Sequence, residues 1–340
     1  LGGWVATRSC GQLSLSYGRI EDLLAGAGLE SPAGRLEIPV HPASAAGPDL
    51  KHLLLGSEGR LGVLTECTVR ISPRPEQEVF KGLFFPDQER GLAAVREMAQ
   101  QRLPLAMIRL SLARETATTL ALAGPSRALS LLSPWLAARG IGEGKCLLVY
   151  GALGSRKKVR SCLGAAGAVA RKHRGVGLGT SPGDQWVRHR FRAPYLRNSL
   201  WELGYGVDTA ETAVPWRMVK PALTAVEEAL AKALERFQER VHAFTHLSHV
   251  YPHGSSLYTT FVFRLAPDPE ESLERWRAMK EAASRAVVAC GGTISHQHGV
   301  GLDHRDYLEA EKGALGLALI RSACRCLDPE GIMNPGKLVV

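Results

Sequence analysis

No run of about 18 uncharged apolar residues occurs anywhere in the 340-residue sequence, so no segment reads as a membrane-crossing helix. A charged start followed by an apolar run and a small-residue cleavage site is missing too. The chain opens Leu1-Gly2-Gly3-Trp4, without Met, which reads as a cut end rather than a secretory leader. Nor is there a disulfide framework. The seven cysteines, Cys10, Cys67, Cys146, Cys162, Cys290, Cys324 and Cys326, are odd in number and scattered, in a chain long enough to fold without staples. Reduced thiols in a cytoplasm-like compartment are the expectation. Cys324 and Cys326 alternate with basic residues on an expected helix, a spacing that matches no zinc pattern. Internal repeats and low-complexity segments are absent as well.

What is present is ordinary globular composition, 45% apolar and 22% charged, over a length that suits two domains. The formal charge of +9 suits an anionic substrate or an anionic membrane surface. Its basic clusters, Arg156-Lys157-Lys158, Arg171-Lys172-His173-Arg174 and Arg188-His189-Arg190, lack the interleaved aromatics of a single-strand binder. They read as solvated helix faces, and no nucleic-acid partner is expected.

Residues 1 to about 75 are glycine-rich, with short apolar runs, His52 to Leu55 and Val63 to Ile71, and Pro73 and Pro75 at the close. A compact sheet domain is expected there. Beyond it, β-rich runs at Val79 to Phe85 and Ala106 to Leu110 flank a helix from Gln88 to Gln100. An apolar run at Cys146 to Ala152 precedes a basic helix from Arg156 to Arg171, and Gly175 to Gly183 reads as loop. Helical spacing returns at Trp216 to Arg240, strands at Val241 to Val250 and Ser256 to Phe263, and a long amphipathic helix at Pro269 to Cys290. Two helices, near Arg305 to Glu311 and Leu315 to Leu327, end the chain.

Gly175-Val-Gly-Leu-Gly-Thr has no strand before it and lacks Walker spacing, so it reads as a plain loop. The stretch Gly56-Ser57-Glu58-Gly59-Arg60-Leu61-Gly62-Val63-Leu64-Thr65-Glu66 differs, because three glycines feed a strand and could bring backbone amides to a flat cofactor. A simple glycine turn fits it equally well. Together with the opening, from Gly2 to Leu24, it resembles the second half of the FAD-binding domain of the vanillyl-alcohol oxidase and p-cresol methylhydroxylase superfamily. That resemblance implies an α+β fold: the C-terminal half of a PCMH-type FAD-binding domain plus an antiparallel-sheet cap domain with helices. It implies boundaries of 1–75 for the flavin half-domain, 76–270 for the cap and 271–340 for a helical segment returning to the flavin. It also implies that Thr7, Arg8, Ser9, Cys10, Glu58, Gly59, Arg60, Leu61, Gly62, Val63 and Leu64 line FAD, mostly through main-chain groups. The superfamily's earlier pyrophosphate loop is not in the sequence.

Within that superfamily the chain is similar over its whole length to the alkyldihydroxyacetonephosphate synthase family. Four stretches carry the likeness: Ala193-Pro-Tyr-Leu-Arg197 with Glu202 to Trp216; Tyr251 to Phe263; Ser295-His-Gln-His-Gly-Val-Gly301; and Asp328 to Leu338. Taken alone, Arg197 and Arg109 are ordinary arginines and Tyr258 a core tyrosine. The resemblance makes Arg197 a clamp for a substrate phosphate, since a guanidinium fork matches phosphate oxygens. It makes Arg109 a second active-site arginine and Tyr258 the proton donor or acceptor. As a base, Tyr258 would need a lowered pKa. His296 and His298 would face one side of an extended segment, a geometry that also suits a metal, and His242, His246, His249 and His253 add to the supply. The Gly-Asp-Gly-Asn run of metal-binding flavin 2-hydroxyacid dehydrogenases is missing between Ser248 and Tyr258, and no metal is expected.

Gln297 stands where the synthase family usually has a third histidine, which removes one imidazole able to exchange protons near neutral pH. A glutamine can still donate a hydrogen bond. The resemblance therefore implies an FAD enzyme exchanging the acyl group of acyl-dihydroxyacetone phosphate for a fatty alcohol, without net redox, in ether-lipid synthesis. Its partners would be a phosphate-bearing lipid precursor and a fatty alcohol, with peripheral membrane contact and a homodimer left open. Two alternatives stand beside it: an FAD-linked oxidoreductase of a 2-hydroxy acid or alcohol, and an inactive fragment that lacks the pyrophosphate loop and retains little flavin. A cytoplasmic location is the default expectation, peroxisomal in a eukaryote, although the tail is no Ser-Lys-Leu address.

Overall fold

The computed structural model describes residues 1–124, 127–192 and 195–339, without the side chains of residues 127–131. Ala193 and Pro194, the head of one of the four family-like stretches, lie outside the described residues. The chain forms two compact units. Unit 1 joins Leu1–Pro73 to Gly291–Val340, and unit 2 is Arg74–Cys290.

In unit 1, β1 (Leu24–Ser31) sits between β2 (Gly34–Ile38) and β3 (Val63–Val69) in an antiparallel sheet. Glycine is required where β3 begins. Gly62 has φ +148°, and a Cβ there would lie 2.3 Å from the carbonyl oxygen of Glu30. His52 to Leu55, expected within a sheet, is instead mostly a single helical turn, Lys51–Leu54, that buries Leu54. Its four-residue length holds too few positions to distinguish the two periods. Near the C-terminus the two expected helices are separated at Gly313, φ +68°: the turn Arg305–Tyr307 leads into the first, which starts at Leu308, and the second ends at Leu327.

Unit 2 is built on an eight-stranded sheet. Along it run β4 (Gln77–Phe85), β5 (Met107–Ser111), β6 (Cys146–Gly154), β7 (Val176–Gly177), β8 (Tyr205–Pro215), β9 (Val241–Leu247), β10 (Val250–Tyr251) and β11 (Gly254–Arg264). The order is β10-β11-β9-β5-β6-β4-β7, with β8 on β11, and all pairs are antiparallel. Strand alternation then separates the two faces. Leu110 meets helix Gln88–Gln100 at Gly91, and Thr245 meets helix Val219–Glu235 through Glu227. Arg109 and His246, one residue along, point to the opposite face.

Two boundaries differ from the sequence expectation. Helix Pro269–Ala289 packs on helix Val219–Glu235 within unit 2, so the first unit resumes only at Gly291. Within Gly175 to Gly183, read as loop, lie β7 and the start of helix Ser181–His189. A two-residue strand leaves no periodicity to read, and the glycines mask it.

Candidate functional site

Register builds the site of unit 2. Ser111 on β5 lies opposite His246 on β9, His246 opposite Tyr258 on β11, and Tyr258 opposite Glu211 on β8. Four neighbouring strands thus carry a polar row across one face. Arg109, two residues before Ser111, shares that face.

Helix Ala113–Leu122 supplies the group that ties the row together, because β5 ends two residues before it and delivers Glu115 into its first turn. Buried Glu115 Oε1 accepts from Arg109 Nη2 at 2.6 Å and lies 3.1 Å from buried His246 Nδ1. The same arginine nitrogen is 3.2 Å from that imidazole. Burial alone would raise the Glu115 pKa; the charge of Arg109, with hydrogen bonds from His246 and Ser111, outweighs burial and holds it below the usual carboxylate range. Burial and the Arg109 charge lower the pKa of His246 against the pull of Glu115. The imidazole is therefore neutral and stacks on Tyr258, with ring centroids 4.9 Å apart and planes 20° from parallel.

Burial raises the pKa of Tyr258, and a hydrogen bond with Thr209 and the charge of Arg109 do not reverse it. A base would need the opposite shift. At neutral pH Tyr258 is a protonated phenol, suited to donate a proton or a hydrogen bond.

Arg197 lies apart from this cluster along the chain, exposed on helix Leu196–Glu202, which leads toward β8. Among the described residues it has no ion-pair partner.

Unit 1 gathers the turn from Gly56 to Gly62, the loop after helix Gly2–Ala6, and the histidine segment. Glu58 N donates to Ala6 O at 2.9 Å, and Gly56 N to Val5 O at 3.0 Å. The Glu58 carboxylate accepts from Val300 N and, at 2.8 Å, from Gly301 N, while Asn334 Nδ2 donates to its carbonyl oxygen. Glu58 therefore clasps the His-Gln-His segment. Gly299, φ +79°, has no room for a Cβ, which would lie 2.9 Å from Glu58 Oε1.

Thr7 and Ser9 share a hydroxyl hydrogen bond of 2.8 Å, Arg8 pairs with Glu21, and Cys10 Sγ donates to Ser14 Oγ at 3.1 Å. Arg60 reaches Met333 O at 2.6 Å, Leu61 is buried, and Val63 and Leu64 open β3. Gly59 and Leu61 have no main-chain acceptor for their N–H groups among the described residues. Two such donors on a turn with three positive-φ glycines fit main-chain contact with a flat, heteroatom-edged ring.

His296, Gln297 and His298 lie in a bend, not an extended strand, so the two imidazoles do not share a face as expected: His296 is buried and His298 exposed. Arg19 Nη2 donates to His296 O at 3.1 Å, and its Nη1 lies 3.4 Å from His296 Nε2. Burial first, then the Arg19 charge, pushes the His296 pKa down to about 4. Arginine only donates, so the contact assigns an accepting Nε2 and a protonated Nδ1. No group of three or more His, Cys, Asp or Glu that could hold a metal occurs among the described residues. His242 bonds Thr118 at 2.9 Å instead, and His253 stacks on Tyr251.

Residues 74–338 match the family of FAD linked oxidases, C-terminal domain. The chain belongs to this FAD-linked oxidase family. Among its relatives, the alkyldihydroxyacetonephosphate synthase of Caenorhabditis elegans is 32% identical over 353 residues, which take in 100% of this chain and 58% of the relative. The chain thus spans less than two thirds of that protein's length. A solved structure of an alkyldihydroxyacetonephosphate synthase superposes on 98% of the chain and 58% of its own, with TM-score 0.79 and 28% identity. A structure of p-cresol methylhydroxylase with substrate bound matches in fold over 99% of the chain and 68% of its own, with TM-score 0.69 at 15% identity.

Sequence reasoning missed Glu115 and Arg19 in this FAD-linked oxidase, and named His246 only among the histidines available to a metal site that it did not expect. An acid in the first turn of a helix that follows a strand bearing an arginine was the available signal for Glu115. Nothing local marks Arg19, whose contact with His296 joins residues 277 positions apart.

Proposed function

We propose that the chain forms part of an FAD-dependent, alkyldihydroxyacetonephosphate synthase-like enzyme. It would exchange the acyl group of acyl-dihydroxyacetone phosphate for a fatty alcohol, releasing the fatty acid. The observation that carries this reading is the polar row of unit 2, where a half-buried, neutral phenol and a half-buried arginine share one sheet face. Loss of a proton beside a carbonyl puts charge on the carbonyl oxygen, and a phenol kept protonated by burial stabilises that oxygen by donating to it. The roles are assigned accordingly. Tyr258 donates to the substrate oxygen, and Arg109 and Arg197 bind the phosphate. The exposed His298 exchanges protons with solvent, while neutral His296 and Gln297 donate hydrogen bonds. Main-chain groups of Thr7 to Cys10 and of Gly59 to Leu64 would hold FAD, which when bound supplies an electrophilic ring for the substrate carbon. Glu58 acts behind them through the histidine segment.

Incubating the full-length flavoprotein with acyl-dihydroxyacetone phosphate and a long-chain alcohol tests this reading. The expected products are the ether and the free fatty acid in equal amounts, and Arg197→Met should raise KM for the phosphate substrate about 10-fold or more. No ether, together with flavin bleaching by a 2-hydroxy acid, would instead make the protein an oxidoreductase.

A further inference from the structure

Glu115 belongs to none of the roles assigned above, yet it is the acceptor on which the buried cluster of unit 2 converges. We propose that Glu115 is a positioning residue for Tyr258: it accepts a hydrogen bond from the Nδ1–H of His246 and one from Nη2 of Arg109. It thereby fixes both the ring that stacks on the phenol and the charge that the phenol faces.

The geometry is specific about the donors. Arginine has only donors and an ionised carboxylate only acceptors, so His246 Nδ1 faces one of each. The carboxylate is the nearer, at 3.1 Å against 3.2 Å, and Arg109 Nη2 already donates to it at 2.6 Å. A proton on Nδ1 satisfies Glu115 twice through one oxygen, and it leaves His246 neutral with its ring plane set. That plane is the one on which Tyr258 stacks at 4.9 Å. Rotating the imidazole would break both the hydrogen bond and the stack.

The charges around the phenol give Glu115 a second effect. Tyr258 hydrogen-bonds Thr209 and pairs with Glu211 on β8, stacks on His246 of β9, and feels the charges of Glu211, Arg109 and Asp208. Arg109 is the cation in this group, and it favours the phenolate. Glu115 neutralises Arg109 at close range, which adds to burial in holding the proton on the phenol. The helix that carries Glu115 turns its other charged group elsewhere: Arg114 Nη1 donates to Ala243 O at 2.9 Å and lies 3.9 Å from Glu227.

The inference rests on reading Tyr258 as the group that handles the substrate proton, and its test does not depend on turnover. Full-length flavoprotein labelled with 13C at tyrosine Cζ, with the Tyr258 resonance assigned by its loss in Tyr258→Phe, reports the phenol's titration midpoint. Glu115→Gln should lower that midpoint by about one pH unit, because Arg109 is no longer neutralised, and Glu115→Asp should stay near wild type. An unchanged or raised midpoint in Glu115→Gln overturns the proposal. Should Glu115→Gln fail to fold, ring 15N shifts of His246 in the wild-type protein decide. A neutral ring protonated on Nδ1 at neutral pH supports the proposal, and one protonated on Nε2 overturns it. A protein that makes no ether yet shows the shifted midpoint would contradict the functional reading and leave the positioning role standing.

Discussion

Both carboxylate oxygens of Glu58 are occupied by main-chain donors of Val300 and Gly301, and its own N–H by Ala6. Removing the carboxylate leaves two main-chain N–H groups unmet in a part-buried site, at about 1–2 kcal/mol each. Glu58→Ala should therefore destabilise the protein by about 2–4 kcal/mol in urea unfolding and loosen the His296–His298 segment. A variant as stable as wild type would remove the clasp from the account. The buried imidazole of His296 makes a second prediction at this scale. Its pKa is about 4 in the folded chain and 6.5 by default, so between those values the unfolded chain binds the extra proton. Its stabilising contribution is whole above about pH 6.5 and is lost as pH falls toward 4, on the order of 3 kcal/mol. Unfolding midpoints at pH 7.5 and pH 4.5 should differ less in His296→Asn than in wild type, and an equal difference would place the acid loss elsewhere.

Strands and helices carry the site through register. Ser111, His246, Tyr258 and Glu211 come into line only because β5, β9, β11 and β8 pair as they do, although 147 positions separate Ser111 from Tyr258 in sequence. Local signals found the elements: helix Gln88–Gln100 and the start of helix Pro269–Ala289 lie where apolar spacing and a capping Asp set them. Local signals could not supply the pairing. Arg109 and Tyr258 were reachable through family-like motifs, whereas Glu115 needed the sheet face, and Arg19 needed the return of the chain's far end. The histidine segment failed in a different way, since glycines on either side permit the bend that separates His296 from His298. At this scale the account predicts that Tyr258→Phe, which keeps the stack on His246, lowers kcat about 100-fold or more and leaves thermal unfolding nearly unchanged. A kcat within a few-fold of wild type would free Tyr258 of its proton role.

At the scale of the whole molecule, the two compact units carry separate parts of the proposed chemistry. Unit 1 holds the glycine turn and the histidine segment, and unit 2 holds the arginines and the phenol. Membership of the FAD-linked oxidases covers residues 74–338, and likeness to the synthases covers the whole chain. The formal charge of +9 accords with a phosphate-bearing substrate, and binding of that substrate should weaken as salt is raised. Exchange of an acyl group for an alcohol differs from oxidation in its electron balance, because it needs no acceptor. The most direct measurement is therefore turnover of the full-length flavoprotein under anaerobic conditions, without any electron acceptor, with acyl-dihydroxyacetone phosphate and a long-chain alcohol. The account predicts ether product well beyond one equivalent per flavin, with the flavin oxidised at the end. A flavin left fully reduced after one equivalent of substrate, with no ether formed, would contradict it.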